Sequence, residues 1–327
     1  MDAVPKLDVR RFRGQERDAF VHALGEALMR YGFVAISGHD ITEALTAPSY
    51  EALRRFFAMP EAVKRKYVLP GTGGARGYTP FGIETAKDQS APDLKEFFHV
   101  GRELARDNPY GMRENVWPSE VPELRASTLA LWHALEQLGS ELLRAIALFL
   151  ALDEHWFADK IDHGNSILRP LHYPPLSAEF CSRAEPRAST VHGVRSAAHE
   201  DINLITLLVS SGEPGLEILP RGQGTEAEPE RWLAIAPAAD QVVVNVGDML
   251  QRLTNHVLVS TTHRVVNPES PWHARSRYSI PFFLHPNPEF LLSTLPSCVS
   301  DREPDRYPVA ITANAYLEQR LREIGLL

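Results

Sequence analysis

The sequence predicts a mainly β domain with flanking helices, and three observations carry that expectation. The first half has helical periodicity, clearest where Leu131, Leu135, Leu138, Leu142, Ile146 and Phe149 form one apolar stripe. After about Ser166 the apolar runs shorten to strand length, punctuated by Gly, Pro, Asn and Asp, the texture of a sandwich or barrel. Residues 309 to 326 return to a helical pattern. The 327 residues therefore read as one domain: a mostly helical region over 1–165, a β core over 166–290, and a closing segment with a helix over 291–327.

Taken in order, residues 15 to 31 form an amphipathic helix with Phe20, Leu24, Leu28 and Tyr31 on one face, and Gly32 ends it. Phe33-Val34-Ala35-Ile36 is a short buried strand, closed by the turn Ser37-Gly38-His39. A second helix runs from about Thr42 to Ala58, before Pro60, with Phe56 and Phe57 as core residues. Residues 68 to 93 are rich in Gly and Pro and read as a long loop carrying Arg76, Tyr78 and Glu84. A strand begins near Asp93-Leu94-Lys95-Glu96-Phe97-Phe98, and the long helix spans about Pro122 to Leu152, with His133 on its outer side. The strand-like runs are then Ile167-Leu168, Leu204 to Val209, Leu216 to Leu219, Trp232 to Ile235, Gln241 to Val246, His263 to Val266 and Tyr278 to Leu284. In the last helix Ala310, Tyr316, Leu317, Leu321 and Ile324 are the expected buried positions.

The bulk numbers narrow the function classes. The formal net charge is -8 and no Lys/Arg block stands out, so neither nucleic acid nor an anionic membrane surface is an expected partner. No apolar run reaches about 18 residues, so no membrane span is expected. The N-terminal Met1-Asp2-Ala3-Val4-Pro5-Lys6 has no signal-peptide pattern, and Cys181 and Cys298 are expected as unpaired thiols, so the cytoplasm is the expected location.

The chemistry centres on Ala198-His199-Glu200-Asp201-Ile202. In a strand, residues i and i+2 share a face, so His199 and Asp201 would aim an imidazole and a carboxylate at one point. That is two-thirds of a 2-His-1-carboxylate triad, which holds Fe(II) and leaves positions open. Of the candidates His256, His263, His273 and His285, the second histidine is expected to be His263, in the β-type segment Thr261-Thr262-His263-Arg264-Val265, rather than His256 in a turn. Arg277 and Ser279 share a face of the following strand, where a guanidinium fork beside a hydroxyl makes a carboxylate clamp. Glu200 would point to the opposite, solvent side, and Arg195 would face either the pocket or a structural partner.

These residues resemble the Fe(II)/2-oxoglutarate-dependent dioxygenase superfamily, in the branch that includes isopenicillin N synthase and plant flavonoid oxygenases. The pattern His-x-Asp, a distal His, then Arg-x-Ser stands here as His199-Glu200-Asp201, His263 and Arg277-Tyr278-Ser279. His172-Tyr173-Pro174-Pro175, Gly215 to Leu219, Val244-Asn245-Val246-Gly247-Asp248, Tyr31-Gly32-Phe33, Gly38-His39 and Asp93-Leu94-Lys95-Glu96 match in type and order. The chain departs from the family at Leu171, where Asn is frequent, and at His256, where many members have Gly.

The resemblance implies a double-stranded β-helix (jelly-roll) core with the N-terminal helices bracing its outside. It implies His199, Asp201 and His263 as ligands of Fe(II). Arg277 and Ser279 would hold the distal carboxylate of 2-oxoglutarate, and Tyr173 would contact a carboxylate. With O2, the implied reaction oxidises a substrate C–H bond by hydroxylation, desaturation or cyclisation and yields succinate and CO2. The implied substrate is an amino acid, a peptide or a small natural product, with the loop from Gly71 to Pro92, Phe97, Phe98 and the C-terminal helix as pocket walls. Three alternatives stay open at this point: a 2-oxoglutarate-independent Fe(II) oxidase of the isopenicillin N synthase type, a non-catalytic jelly-roll binding protein, and a zinc hydrolase.

Overall fold

The structure, a computed structural model, describes residues 4–71, 75–85, 92–104, 108, 110, 112–177, 194–210, 212–220, 231–267 and 272–323. The strands are β1 (Lys6–Asp8), β2 (Phe33–Ser37), β3 (Gly77–Thr79), β4 (Glu96–Gly101), β5 (Ile167–Leu168), β6 (Leu171–Tyr173), β7 (Ser196–His199) and β8 (Ile205–Ser210), followed by β9 (Leu216–Ile218), β10 (Leu233–Ala234), β11 (Val242–Val246), β12 (His263–Val265) and β13 (Arg277–Leu284). They form two sheets. The larger runs β1-β2-β11-β8-β13-β5-β4-β3, with β6 continuing the line of β5 against β13 and β4; the smaller runs β10-β9-β12-β7. Only the β1–β2 pair is parallel among these ladders.

Period-two alternation assigns the two faces of the larger sheet. Ile205, Leu207, Val242, Val244, Ile280, Phe282 and Leu284 point outward and join the main core with the helices Arg17–Arg30, Glu43–Phe57 and Glu123–Phe149. The Trp132 ring meets Phe282 edge-on at 5.3 Å, which seats the long helix against β13. The other face of this sheet turns toward the smaller sheet. It carries Phe33, Val243 and Leu208, packed with Leu216, Ile218 and Val265, and with them the polar residues of the site. Most of the polar side chains there find a partner.

The helices fall where the periodicity predicts, and so does each expected strand within a residue or two. Three features differ from the expectation. The stretch 68 to 93, expected as one long loop, contains strand β3, which pairs with β4 and carries Tyr78. The N-terminal segment does more than brace the outside: β2 pairs with β11, and β4 pairs with β5 and β6, so strands from the first 101 residues complete the core sheet. The last helix spans Ala313–Glu323, with only Ala313 fully buried; Ala310 is exposed, Tyr316, Leu317 and Leu321 are half-buried, and Ile324 lies outside the described residues. Cys298 is buried and free, and Cys181 lies outside the described residues. Among the described residues no helix is long and apolar enough to cross a membrane.

Candidate metal centre and pocket

His199 ends β7 and His263 begins β12, and the two are direct partners in the antiparallel ladder of the smaller sheet. Their rings lie 4.3 Å apart between centroids. Each Nδ1 faces the carbonyl two residues back, Ala197 at 2.7 Å and Thr261 at 3.1 Å. An N–H donated there fixes the tautomer and leaves the Nε2 lone pair unprotonated, which is what a metal needs. Both Nε2 atoms approach Asp201 Oδ1, at 3.9 Å from His199 and 3.8 Å from His263. The three donor atoms all lie within 4.8 Å of one another.

Asp201 reaches this point by a route the sequence does not reveal. It lies beyond the end of β7, in an irregular link to β8, so the convergence is not that of two residues on one strand face. Backbone bonds pin the link: Asp248 N–H donates to the Asp201 carbonyl at 2.7 Å, and Leu204 N–H to the Leu284 carbonyl at 3.1 Å. The carboxylate is oriented as well. Its Oδ2 accepts from the Thr206 hydroxyl at 2.6 Å and from Asn245 Nδ2 at 2.8 Å, which turns Oδ1 toward the two imidazoles. Burial opposes ionisation of Asp201, but the imidazoles of His263 and His199 and these two hydrogen bonds outweigh it and hold the carboxyl below its usual range. Burial, reinforced by His199, pushes His263 down to about 4, so it stands neutral at pH 7. Two imidazoles and one carboxylate are a donor set that fits Fe(II).

Arg277 and Ser279 lie on the inward face of β13 and are buried, with Arg277 Nη1 donating to Ser279 Oγ at 3.3 Å. Tyr173 faces Arg277 across the ladder, and the guanidinium sits 5.0 Å from its ring centre. Arg277 Nε is buried and meets no acceptor. A buried donor without a partner is costly, and a carboxylate received by this fork would satisfy it. The clamp therefore fits the carboxylate end of an oxoacid.

The Asp93-Leu94-Lys95-Glu96 run supports the same region. Asp93 accepts the Ala197 N–H at 2.9 Å and the Lys95 ammonium at 2.7 Å, so it fixes the strand end that carries His199. Glu96 accepts from Lys64 at 2.6 Å and from Tyr78, and pairs with His172 Nδ1 at 2.7 Å beside Tyr173.

A cavity of about 320 Å³ opens at His199 and Asp201. Ala75, Glu84 and Thr85 from the long loop and Leu317, Arg320 and Leu321 from the last helix form part of its wall, as the sequence predicts. Phe97 and Phe98 do not: both are buried, Phe98 in the main core and Phe97 against Leu171 and Tyr173. Glu200 differs too. It is half-buried at the cavity wall rather than on the solvent side, and it accepts the Thr262 hydroxyl. Arg195 has a structural role: it is buried over Tyr173 at 5.9 Å and donates to the Arg275 carbonyl at 3.2 Å. His256 is a turn residue at φ 69°, the left-handed region that favours glycine, and it bonds Tyr307 at 2.7 Å. Thr206, Asn165 and Arg169 carry no signal in the sequence, and His285 stands there only as a candidate second histidine; Asn245 is detectable as the one polar residue in the run Val242 to Val246.

The family model described as 2OG-Fe(II) oxygenase superfamily matches residues 165–286, and that described as non-haem dioxygenase in morphine synthesis N-terminal matches residues 4–120. The chain is 32% identical over 318 residues to the 2-oxoglutarate-Fe(II) type oxidoreductase hxnY of Emericella nidulans, covering 94% of this chain and 86% of that one. It belongs to the 2OG-Fe(II) oxygenase superfamily.

Solved structures of the superfamily share the fold. A 2OG-Fe(II) oxygenase family protein from Caulobacter crescentus superposes with a TM-score of 0.86 at 41% identity, covering 99% of this chain and 100% of that one. A full-length Neurospora crassa protein, solved in complex with alpha-KG and thymine, gives a TM-score of 0.82 at 28% identity, covering 98% and 96%. The jelly-roll core is thereby established, and so is the activity class: an Fe(II)- and 2-oxoglutarate-dependent dioxygenase acting on small molecules. These matches do not favour the 2-oxoglutarate-independent oxidase, the binding protein or the hydrolase.

Proposed function

We propose that His199, Asp201 and His263 are the iron ligands of this oxygenase, that Arg277 and Ser279 bind the distal carboxylate of 2-oxoglutarate, and that Tyr173 borders that carboxylate. One observation carries the reading: both Nε2 lone pairs and Asp201 Oδ1 converge on one point while every other polar atom of the three side chains is already engaged. Bound Fe(II) and 2-oxoglutarate supply the oxidising power, drawn from O2 with release of succinate and CO2. The chain's own residues hold and orient. Ala197 and Thr261 keep the imidazoles in the ligating tautomer, and Thr206 and Asn245 keep the carboxylate turned inward. The buried guanidinium of Arg277 offers two parallel donors to a carboxylate and so fixes the cosubstrate's direction. The cavity at His199 and Asp201 receives a small molecule and brings one C–H bond to the metal.

The proposed partner is a small metabolite such as an amino acid, a peptide or a natural product, with neither nucleic acid nor membrane involved; the acidic charge balance supports this. A cytoplasmic setting is also proposed, supported by the free buried thiol of Cys298. The test is conversion of 2-oxoglutarate to succinate by Fe(II)-loaded protein under O2. Asp201→Ala should lose bound iron and succinate formation together. A variant that keeps full iron occupancy would reject the ligand assignment.

A further inference from the structure

The cavity that opens at the metal ligands is also lined by polar groups that the reaction as described does not use. Gly164 lies so close to β13's end that a Cβ there would sit 2.0 Å from the His285 carbonyl oxygen, so Asn165 and His285 are held side by side. Both line the cavity. Asn165 Oδ1 accepts from Nη2 of the buried Arg76 at 3.1 Å, so its Nδ2 is the atom left to face the cavity. The His285 imidazole has no hydrogen-bond partner among the described residues, and burial pushes its pKa down to about 4. It therefore offers one donor and one acceptor and no charge.

The cations of the same wall are already neutralised. Arg169 lies between Phe97 at 4.7 Å and Phe283 at 5.1 Å, pairs with Glu84 at 3.2 Å, and donates its Nε–H to His99. Burial opposes ionisation of Glu84, but Lys95 and Arg169 outweigh it and hold its carboxyl down to about 2, so the pair stays ionised. Arg320 is paired with Asp248 at 3.1 Å and Glu323 at 2.8 Å. An anionic substrate would find no unpaired cation among the described residues that line the cavity and would meet the carboxylate of Glu84, Asp201 being committed to the metal. An uncharged molecule with a carbonyl and an N–H would satisfy both unused groups.

We propose that Asn165 and His285 are the substrate-anchoring pair of this pocket and that the substrate is a compact uncharged ring amide, of the lactam or pyridone type, rather than a free carboxylate. Its carbonyl accepts from Asn165 Nδ2, and its N–H donates to the His285 imidazole. The proposal rests on the metal-centre reading above, and its test separates the two. Protein loaded with Zn(II), a redox-silent stand-in, and 2-oxoglutarate is titrated with 2-pyridone and δ-valerolactam, and with benzoate and cyclohexanecarboxylate as anionic counterparts of similar size, by saturation-transfer NMR. The ring amides should bind at least about tenfold more tightly than the anions. Asn165→Leu and His285→Phe should each weaken them roughly fivefold to tenfold, with the melting temperature and 2-oxoglutarate affinity unchanged, and His285→Gln should restore most of the loss. Equal or tighter binding of the anions, undiminished ring-amide binding by both Asn165→Leu and His285→Phe, or no ring-amide binding by protein that takes up 2-oxoglutarate would each overturn it. Failure to take up 2-oxoglutarate would instead bring down the metal-centre reading, and this proposal with it.

Discussion

Removal of the Thr206 hydroxyl isolates the part of the centre that orients Asp201. Thr206→Val keeps the shape of a buried β-branched side chain in β8 and deletes the 2.6 Å bond to Oδ2. Asn245 still donates to that oxygen at 2.8 Å, and Asn203, which also touches the Thr206 hydroxyl through Nδ2 at 3.1 Å and Oδ1 at 3.3 Å, keeps its Nδ2 bond to the Ile205 carbonyl at 2.8 Å. A hydrogen bond to a charged group contributes about 1.5–3 kcal/mol, which corresponds to roughly ten- to a hundredfold in metal affinity, the range seen for outer-shell partners of metal ligands. The assay is Fe(II) titration under anaerobic conditions, alongside thermal melting. The Fe(II) Kd should rise by that factor, kcat at saturating iron should largely recover, and Thr206→Ser should bind iron like the parent. An Fe(II) Kd within about twofold of the parent, with the fold intact, would refute the claim that Thr206 orients the ligand.

Other consequences are equally accessible. Arg277→Lys replaces a fork with a point charge and should raise the KM for 2-oxoglutarate about ten- to a hundredfold with little change in substrate KM; Ser279→Ala should cost less, and steady-state kinetics on both reads the difference. Glu96→Ala removes the carboxylate that holds the buried ammonium of Lys64 at 2.6 Å, leaving it the Phe57 carbonyl at 3.3 Å and the half-exposed Glu61 at 3.6 Å, and should destabilise the fold by up to about 3 kcal/mol in denaturant titration. Metal-free protein should lose stability as pH falls from about 6.5 toward 4. In that window the unfolded chain protonates two histidines that burial keeps neutral in the fold, His263 and His285, each pushed down to about 4. Stability therefore rises with pH there, and His285→Gln should remove about one proton from the linkage, read as a shallower slope of melting temperature against pH.

What could be read from the chain differed between local pattern and long-range closure. The stripe from Leu131 to Phe149 and the alternation in Tyr278 to Leu284 are local periodicities, and both elements stand where the pattern puts them. His199, His263 and the Arg277/Ser279 pair were visible because their residue types are rare at such spacing and each sits on a strand. Asp201 was found for an incomplete reason: it lies in an irregular link whose path is set by Asp248 and Leu284, residues far away in sequence. The strands Lys6–Asp8 and Ser196–His199 are too short to show periodicity and exist through pairing with β2 and β12. The group of Asn165, Arg169, His99, Glu84 and His285 was invisible for the same reason, since four separate segments bring it together and none has a pattern of its own. The double-stranded β-helix came from resemblance; composition and punctuation alone reached only a sandwich or barrel.

The most direct test of the central claim is an anaerobic titration of 2-oxoglutarate into the Fe(II)-loaded protein, followed by visible absorption. The account predicts a charge-transfer band of a chelated oxoacid that saturates at one equivalent, is absent in Asp201→Ala and needs far more 2-oxoglutarate in Arg277→Lys. A parent protein that binds Fe(II) but develops no such band, or an Asp201→Ala protein that develops it in full, would contradict the account.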